Sequence, residues 1–396
     1  MNLKSLGSIA IVAGTAIGAG MLALPLATAS MGFEQAMLLM IIIWVISVYT
    51  ALLMLEVNLK SGIGDNLHAI TGKLLGRPGQ IVLGASMLGL LYSLTAAYLT
   101  GGASLLAARA DAWFDVTLNN TVAVLIFTVV LGAFAAVGVA WVDRLSRMLF
   151  SVMMVILVIV LFALVGQVEV GGLTRTIVAS HDEMTWIQAI PVVFTSFGFH
   201  VCIATLVGYL DGKQKPLRKV LIIGSTIPLI CYTFWLIAAF GTVGIDKLVT
   251  LDGGVAAMIS AMQHGNADSW IGTLVFAFAD LALITSFLGV TLSLFDFLQE
   301  LTAAKGDFAG RARTALITYL PPLALAMYYP QGFVALLGFA AIPLVVMVLF
   351  IPAIGAMKQR KLQPEGYQVM GGNAGLFGTI AVGVAIIAAQ VIAVLG

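Results

Sequence analysis

The stretch that decides the fold lies in the first long apolar segment, where residues 11–25 read IVAGTAIGAGMLALP. Three glycines and a proline interrupt a run that is otherwise long enough to cross a membrane. A second interruption, AIPVVFTSFGFH at residues 189–200, lies in the sixth such segment. Broken helices at matching positions of two halves are typical of the substrate site of a membrane transporter. We therefore predict that both segments are broken helices.

The composition is that of an integral membrane protein, with the lipid bilayer as its surroundings. Of the 396 residues, 61% are hydrophobic and 9% are charged, whereas soluble domains have about 25% charged residues. A net charge of +1 argues against a nucleic-acid partner. The sequence contains no metalloprotease motif and no phosphate-binding loop, so we expect neither an enzyme nor an ATP-driven pump, and no cofactor. Both cysteines, Cys202 and Cys231, lie in apolar segments and are predicted to be buried thiols.

Eleven segments are long enough to span a bilayer, since a spanning helix needs about 20 apolar residues. They lie near residues 7–31, 34–58, 80–108, 120–141, 147–167, 186–210, 218–243, 270–300, 312–328, 332–356 and 374–395. A cytoplasmic N-terminus leaves only Arg109, Arg175 and Lys247 of the 19 lysines and arginines outside. Because cytoplasmic loops are rich in these residues, the predicted topology is N-terminus inside and C-terminus outside.

An odd number of spans fits two inverted units of five helices and one accessory helix. The units cover about 7–167 and 186–356, and the accessory helix covers about 374–395. The breaks then fall in the first helix of each unit. The predicted architecture is all-α, with broken helices 1 and 6, in one transmembrane domain over residues 1–396 that acts as a monomer.

The breaks can bind the two charges of an amino acid. Free N–H groups at the start of a half-helix favour a carboxylate, and carbonyls at the end of one favour an ammonium group or a cation. The alternative is that Gly14 and Gly18 only form a helix-packing surface. The predicted substrate-binding residues at the breaks are Thr15, Ala16, Gly18, Ala19, Gly20, Thr195, Ser196 and Gly198.

Aromatic and hydroxyl groups near the breaks suit a ring-shaped substrate. Phe194, Phe197 and Phe199 surround the second break, although ordinary bundle packing would explain them equally well. In the third segment, Tyr92 and Thr95, with Tyr98 one turn further on, add hydroxyls for a polar ring substituent.

Three ionisable residues within apolar segments are candidates for carrying a proton, because a buried charge in the bilayer is costly. His200 follows the second break and either carries a proton, binds the substrate ring or remains a neutral core residue. Asp280 gates the outer side, carries a proton or only lines a vestibule. Glu56 lies near a cytoplasmic end, where pairing with Lys60 or a loop arginine is the preferred interpretation.

Residues 11–25 and 189–200, together with TSFLGV at 285–290 and FDF at 295–297, resemble the hydroxy and aromatic amino acid permease family. The resemblance is greatest to members that transport tyrosine. It implies the leucine-transporter type of five-plus-five fold and symport of tyrosine, with tryptophan or phenylalanine as further substrates, across a bacterial inner membrane. A serine or threonine permease and a non-transporting amino-acid sensor are the alternatives.

The resemblance leaves the coupling ion open between H⁺ and Na⁺. Proton-coupled relatives often place a lysine in the fifth helix, and Met153 occupies the matching position here. The eighth segment resembles sodium-coupled relatives, which implies a sodium site whose hard oxygen ligands suit that cation. The alternative is that these hydroxyls bond only within their own helix. The implied sodium ligands come from Gly14, Ile17, Ala282, Thr285 and Ser286.

Overall fold

The computed structural model describes residues 3–137, 139–168, 173, 184–251, 254–264, 269–302 and 308–395, and within these ranges every regular element is a helix. The α-helices are α1 (Leu3–Ala16), α2 (Ala19–Thr28), α3 (Phe33–Ser61), α4 (Leu67–Phe114), α5 (Asn120–Val137), α6 (Val139–Val165), α7 (Met184–Ser196), α8 (Ile203–Tyr209), α9 (Gln214–Val243), α10 (Ile245–Val249), α11 (Val255–His264), α12 (Ser269–Leu301), α13 (Phe308–Tyr328), α14 (Phe333–Val345), α15 (Ile351–Leu362) and α16 (Gly372–Leu395). Short 3₁₀ turns follow α2 and precede α8, at Ala29–Met31 and Phe199–Cys202.

The chain is a multi-pass membrane protein. Eight helical stretches of the described chain are long and apolar enough to cross a bilayer, and the bent pair of α1 and α2 makes a ninth. The other two predicted segments correspond to α5 and α13. Arg311, Arg313 and two prolines make α13 less apolar than the others. The count of eleven spans, the inverted repeat and the single domain therefore stay predictions.

The bundle is organised around α4, which packs along α14 and α12. Helix α1 packs along α9, and α6 packs along α12. The two segments predicted to be broken meet where α2 packs against α7. This arrangement brings the two predicted breaks together in the interior.

The third predicted span begins earlier than residue 80. The side chain of Asn66 accepts a hydrogen bond from the Ala69 N–H at 2.8 Å and so caps a short helix that the sequence analysis assigned to a loop. At Gly76 the backbone has φ 68° and ψ −164°, which places a kink between this short helix and the long one. Only glycine adopts this conformation easily, and Pro78 then starts the next helical turn.

Two short helices that were not predicted from the sequence, α10 and α11, lie between α9 and α12, and neither is long enough to span a membrane. Ile245, Leu248, Met258 and Met262 of α10 and α11 are buried. Helix α11 packs against α12, α4 and α2. These two short helices cover one end of the region where the breaks meet.

The tenth predicted span is also irregular. A single π-helical turn at Val346–Phe350 separates α14 from α15, and the helix continues to Leu362 instead of ending near residue 356. Pro343 lacks the N–H that a regular α-helix needs, and the wider turn follows directly after it.

Candidate functional site

The first break separates α1 from α2, whose axes differ in direction by 51°. Gly18 has extended torsions, φ −178° and ψ −150°, which any residue can adopt. Its lack of a side chain matters for a different reason. A Cβ at Gly18 would lie 2.7 Å from the Ser286 hydroxyl oxygen. This oxygen accepts a hydrogen bond from the Ala19 N–H at 3.0 Å, so α12 caps the start of α2.

The second break separates α7 from the 3₁₀ turn that precedes α8. Gly198 lies between them with φ −76° and ψ 42°. A Cβ at Gly198 would lie 2.9 Å from the Thr195 carbonyl oxygen, which accepts the Gly198 N–H. Glycine is therefore required at this break for a close backbone approach.

The two breaks are joined by hydrogen bonds. The Ser196 hydroxyl oxygen lies 2.9 Å from the Val192 carbonyl oxygen of its own helix and 3.2 Å from the Gly20 carbonyl oxygen, and the second contact links the end of α7 to the start of α2. The Tyr232 hydroxyl of α9 lies 2.7 Å from the Ala16 carbonyl oxygen and 2.8 Å from the Ser196 carbonyl oxygen. These carbonyls end α1 and α7, and Tyr232 is fully buried. One hydroxyl thus holds together the carboxyl ends of both interrupted helices.

A cavity of about 660 Å³ opens beside the two breaks. Its wall is apolar on the sides of α4 and α14, and hydroxyl groups from α6, α7 and α12 complete it. The lining residues from the predicted site are Gly14, Thr15, Ala16, Ile17, Gly18, Ala19, Gly20, Thr195, Ser196, Gly198, Thr285 and Ser286. The others are Met87, Leu90, Leu91, Leu94, Tyr98, Ser146, Arg147, Phe150, Ser151, Val201, Gly289, Val290, Ser293, Leu337 and Leu344.

Comparison with known proteins shows the family of the chain. The sequence profile of the tryptophan/tyrosine permease family matches residues 1–390. The chain belongs to this family. Members of the family are permeases and not enzymes, as the sequence analysis expected.

Three similar bacterial proteins are named for different substrates. The chain is 37% identical over 388 residues to tyrosine-specific transport system 2 of Haemophilus influenzae, covering 97% of this chain and 95% of that protein. It is 34% identical over 404 residues to the tryptophan-specific transport protein of the same organism, covering 99% of this chain and 96% of that protein. It is 32% identical over 399 residues to glutamine transporter 2 of Aliivibrio fischeri, covering 99% of this chain and 100% of that protein.

The aromatic residues that were predicted to contact the substrate do not line the cavity and lie behind its lining. Phe194, Phe197 and Phe199 are fully buried. Phe197 packs edge-on against Tyr232, with ring centroids 5.2 Å apart, and so supports the residue that joins the breaks. Phe199 stacks on the His200 ring at 4.8 Å.

His200 also lies outside the lining residues. Its Nε2 is 2.9 Å from the Thr50 hydroxyl oxygen, so the ring joins the second break to α3. Tyr92 and Thr95 are similarly occupied elsewhere. The Tyr92 hydroxyl donates to the Ile317 carbonyl at 2.8 Å, and the Thr95 hydroxyl donates to the Leu91 carbonyl at 2.7 Å.

The residues considered for sodium lie close together at the first break. The Thr285 hydroxyl donates to the Leu281 carbonyl at 2.7 Å and lies 3.8 Å from the Met153 sulfur. Ala282 is buried behind the cavity, one turn before Ser286. A hydroxyl oxygen that takes part in one such hydrogen bond keeps a lone pair for a cation.

The two acidic candidates for proton coupling are both paired with arginines. Asp280 receives a hydrogen bond from Arg109 at 2.6 Å, and the Arg109 guanidinium lies over the rings of Trp113 and Phe276. The cavity lining does not include this pair.

Glu56 is fully buried and binds Arg360 through both carboxylate oxygens, each at 2.7 Å. It also accepts the Val369 N–H at 2.8 Å. The sequence predicts an ion pair between Glu56 and either Lys60 or a loop arginine. The structure shows that the partner is Arg360, at the end of α15.

Sequence reasoning missed the role of Tyr232. The available signal was a single tyrosine in the middle of an apolar segment, since a buried tyrosine hydroxyl usually has a hydrogen-bond partner. That signal could not identify the partners, because Ala16 and Ser196 are brought to Tyr232 only by the packing of three separate helices.

Proposed function

We propose that the chain is a secondary active symporter that imports an aromatic amino acid, with tyrosine as the main substrate and tryptophan or phenylalanine as further ones. It works by alternating access in the inner membrane of a bacterium, as a monomer with the eleven-helix, five-plus-five inverted-repeat fold. The observation that carries this proposal is the junction of two helix breaks at one cavity. The names of the tyrosine and tryptophan transport proteins support the substrate class.

The chemistry of the breaks matches a zwitterion. The start of α2 lines the cavity, and the positive end of its helix dipole and its N–H groups favour the substrate carboxylate. The carbonyl ends of α1 and α7 favour the ammonium group. The cavity volume of about 660 Å³ lies within the range of about 300–1,000 Å³ that is common for small-molecule sites.

In this proposal, the structure represents the inward-facing conformation of the transporter. The cavity extends from the breaks to Ser146, Arg147 and Ser293. The predicted orientation places these residues near the cytoplasmic ends of their segments. At the opposite end, α11 packs across α2, α4 and α12.

The coupling ion is H⁺ or Na⁺. Sodium would bind to oxygens of Gly14, Ile17, Ala282, Thr285 and Ser286. The Ser286 hydroxyl contacts the first break, and Thr285 lines the same cavity. A proton would be carried by His200, Asp280 or Glu56. Removing the charge of either acid would leave a largely buried arginine without its charged partner, and this cost weighs against protonation at those two positions.

Glutamine is the second candidate substrate, because a relative that matches 99% of this chain is named a glutamine transporter. A serine or threonine permease is less well supported by the apolar wall of the cavity, since a small side chain would leave the leucines of α4 and α14 without contacts.

Uptake by purified protein in proteoliposomes tests the proposal. Labelled tyrosine, tryptophan, phenylalanine, glutamine and serine are each offered under an imposed sodium gradient or proton gradient, with protein-free liposomes as the control. Accumulation of aromatic amino acids under one gradient is the expected result. Accumulation of glutamine or serine alone would replace the proposed substrate class, and binding without flux would indicate a sensor.

A further inference from the structure

The structure distinguishes three hydroxyl groups that the sequence places along one helix. Tyr92 and Thr95 of α4 donate to carbonyls within the protein and lie outside the cavity lining. Tyr98 lines the cavity, and its hydroxyl makes no hydrogen bond with any residue that the structure describes. A polar group without a protein partner in a largely apolar cavity is available to a ligand.

The surroundings of Tyr98 suit a ring. Leu91 and Leu94 lie seven and four residues before it, on the same face of α4. Leu337 and Leu344 of α14 contribute further apolar surface to the cavity. Among the described lining residues the only charged side chain is Arg147, which belongs to α6 near the proposed cytoplasmic opening.

Most other hydroxyls of the lining already take part in hydrogen bonds. Ser196 donates to backbone carbonyls, Ser286 accepts the Ala19 N–H, and Thr285 and Ser293 donate within α12. The Thr195 and Ser146 hydroxyls have no partner among the described residues, but Thr195 lies at the second break and Ser146 lies at the proposed cytoplasmic opening. Among the described lining residues, Tyr98 is thus the one on α4, the apolar side of the cavity, whose hydroxyl has no hydrogen-bond partner in the protein.

We propose that Tyr98 determines substrate specificity by forming a hydrogen bond with the polar atom of the substrate ring. This inference rests on the proposed function. A neutral phenol both donates and accepts, so the same hydroxyl can pair with the hydroxyl of tyrosine or with the N–H of an indole. Phenylalanine fills the same apolar space but leaves the Tyr98 hydroxyl unpaired.

Substituting Tyr98→Phe tests this assignment, because it removes the hydroxyl and keeps the ring. The measured quantity is kcat/KM for tyrosine relative to phenylalanine, and for tryptophan relative to 1-methyltryptophan, in proteoliposomes. We expect the preference for the substrate with the polar ring atom to fall about tenfold or more, since sites built around a substrate hydrogen bond discriminate strongly. Tyr92→Phe is the matched control and should leave both ratios unchanged.

Each other outcome contradicts the assignment. An equal loss for all substrates in Tyr98→Phe would place the hydroxyl on the shared amino or carboxylate group, and unchanged ratios would show that it does not contact the ring. If the variant does not fold, the wild-type protein alone tests the inference. The inference would be overturned if the wild type had the same kcat/KM for tyrosine as for phenylalanine, and the same kcat/KM for tryptophan as for 1-methyltryptophan. Failure of the wild type to transport any aromatic amino acid would instead refute the proposed function.

Discussion

Removing the Tyr232 hydroxyl should separate the two halves of the site. The hydroxyl lies within 2.7 and 2.8 Å of the carbonyl oxygens of Ala16 and Ser196, which end the two interrupted helices. Tyr232→Phe keeps the ring and its contact with Phe197 while leaving these carbonyls without this donor. The substitution therefore tests the junction of the breaks and preserves the packing around it.

The size of the effect follows from the burial. Tyr232 is fully buried, so water cannot easily replace the hydroxyl. Leaving a buried acceptor unsatisfied costs about 1–3 kcal/mol. A hydroxyl has one proton and donates fully to one carbonyl at a time, so we expect one such cost and not two. If this free energy holds the breaks in the binding geometry, the affinity for substrate falls about 5-fold to 150-fold.

The assay is equilibrium binding of labelled tyrosine to purified protein, followed by kcat and KM for uptake in proteoliposomes. Tyr92→Phe removes a hydrogen bond of similar length, 2.8 Å to the Ile317 carbonyl, at a place away from the breaks. It should leave binding unchanged. Tyrosine affinity that is the same in Tyr232→Phe as in the wild type would refute the role given to this hydroxyl.

Three other predictions concern local contacts. Gly18→Ala should reduce uptake at least tenfold, because its Cβ would lie 2.7 Å from the Ser286 hydroxyl that caps α2. The control Gly378→Ala should transport normally, because a Cβ at Gly378 would have no atom within 4 Å. Equal uptake by the two variants would contradict this prediction. Glu56→Gln should lower the free energy of unfolding by about 3–5 kcal/mol, seen as a reduced Tm in detergent, because Arg360 loses its buried partner. Combining it with Arg360→Met should restore most of the loss, and a double variant as unstable as the single one would contradict that explanation.

The sequence was sufficient to locate both breaks, because glycine and proline interrupt two apolar segments at matching positions of the two halves. It also predicted that Glu56 forms an ion pair, from the cost of burying a lone carboxylate. It could not identify Arg360 as the partner, because the two residues are 304 positions apart and only the contact between α3 and α15 brings them together.

The direction of side chains at the breaks was beyond sequence reasoning. Phe194, Phe197 and Phe199 were predicted as substrate contacts, but the structure places them behind the lining, where Phe197 supports Tyr232. A break changes the helical phase of the residues that follow it, so the direction of Phe199 depends on the torsions at Gly198. Phe194 lies before the break, and its direction depends on how α7 packs against its neighbours. The short helices α10 and α11 were not predicted because five and ten residues are far fewer than the about 20 apolar residues that identify a spanning helix.

The most direct test of the account is whether tyrosine protects a residue that lines the cavity. A single cysteine at Leu94 is introduced after Cys202 and Cys231 have been replaced by alanine, and its rate of alkylation is measured with and without tyrosine. Tyrosine at about ten times its Kd should slow the reaction about tenfold, since only the free protein reacts. A cysteine at Tyr328, which is 90% exposed outside the cavity, should react at the same rate in both conditions. Full reactivity at position 94 with saturating tyrosine bound would contradict a substrate site at the paired breaks.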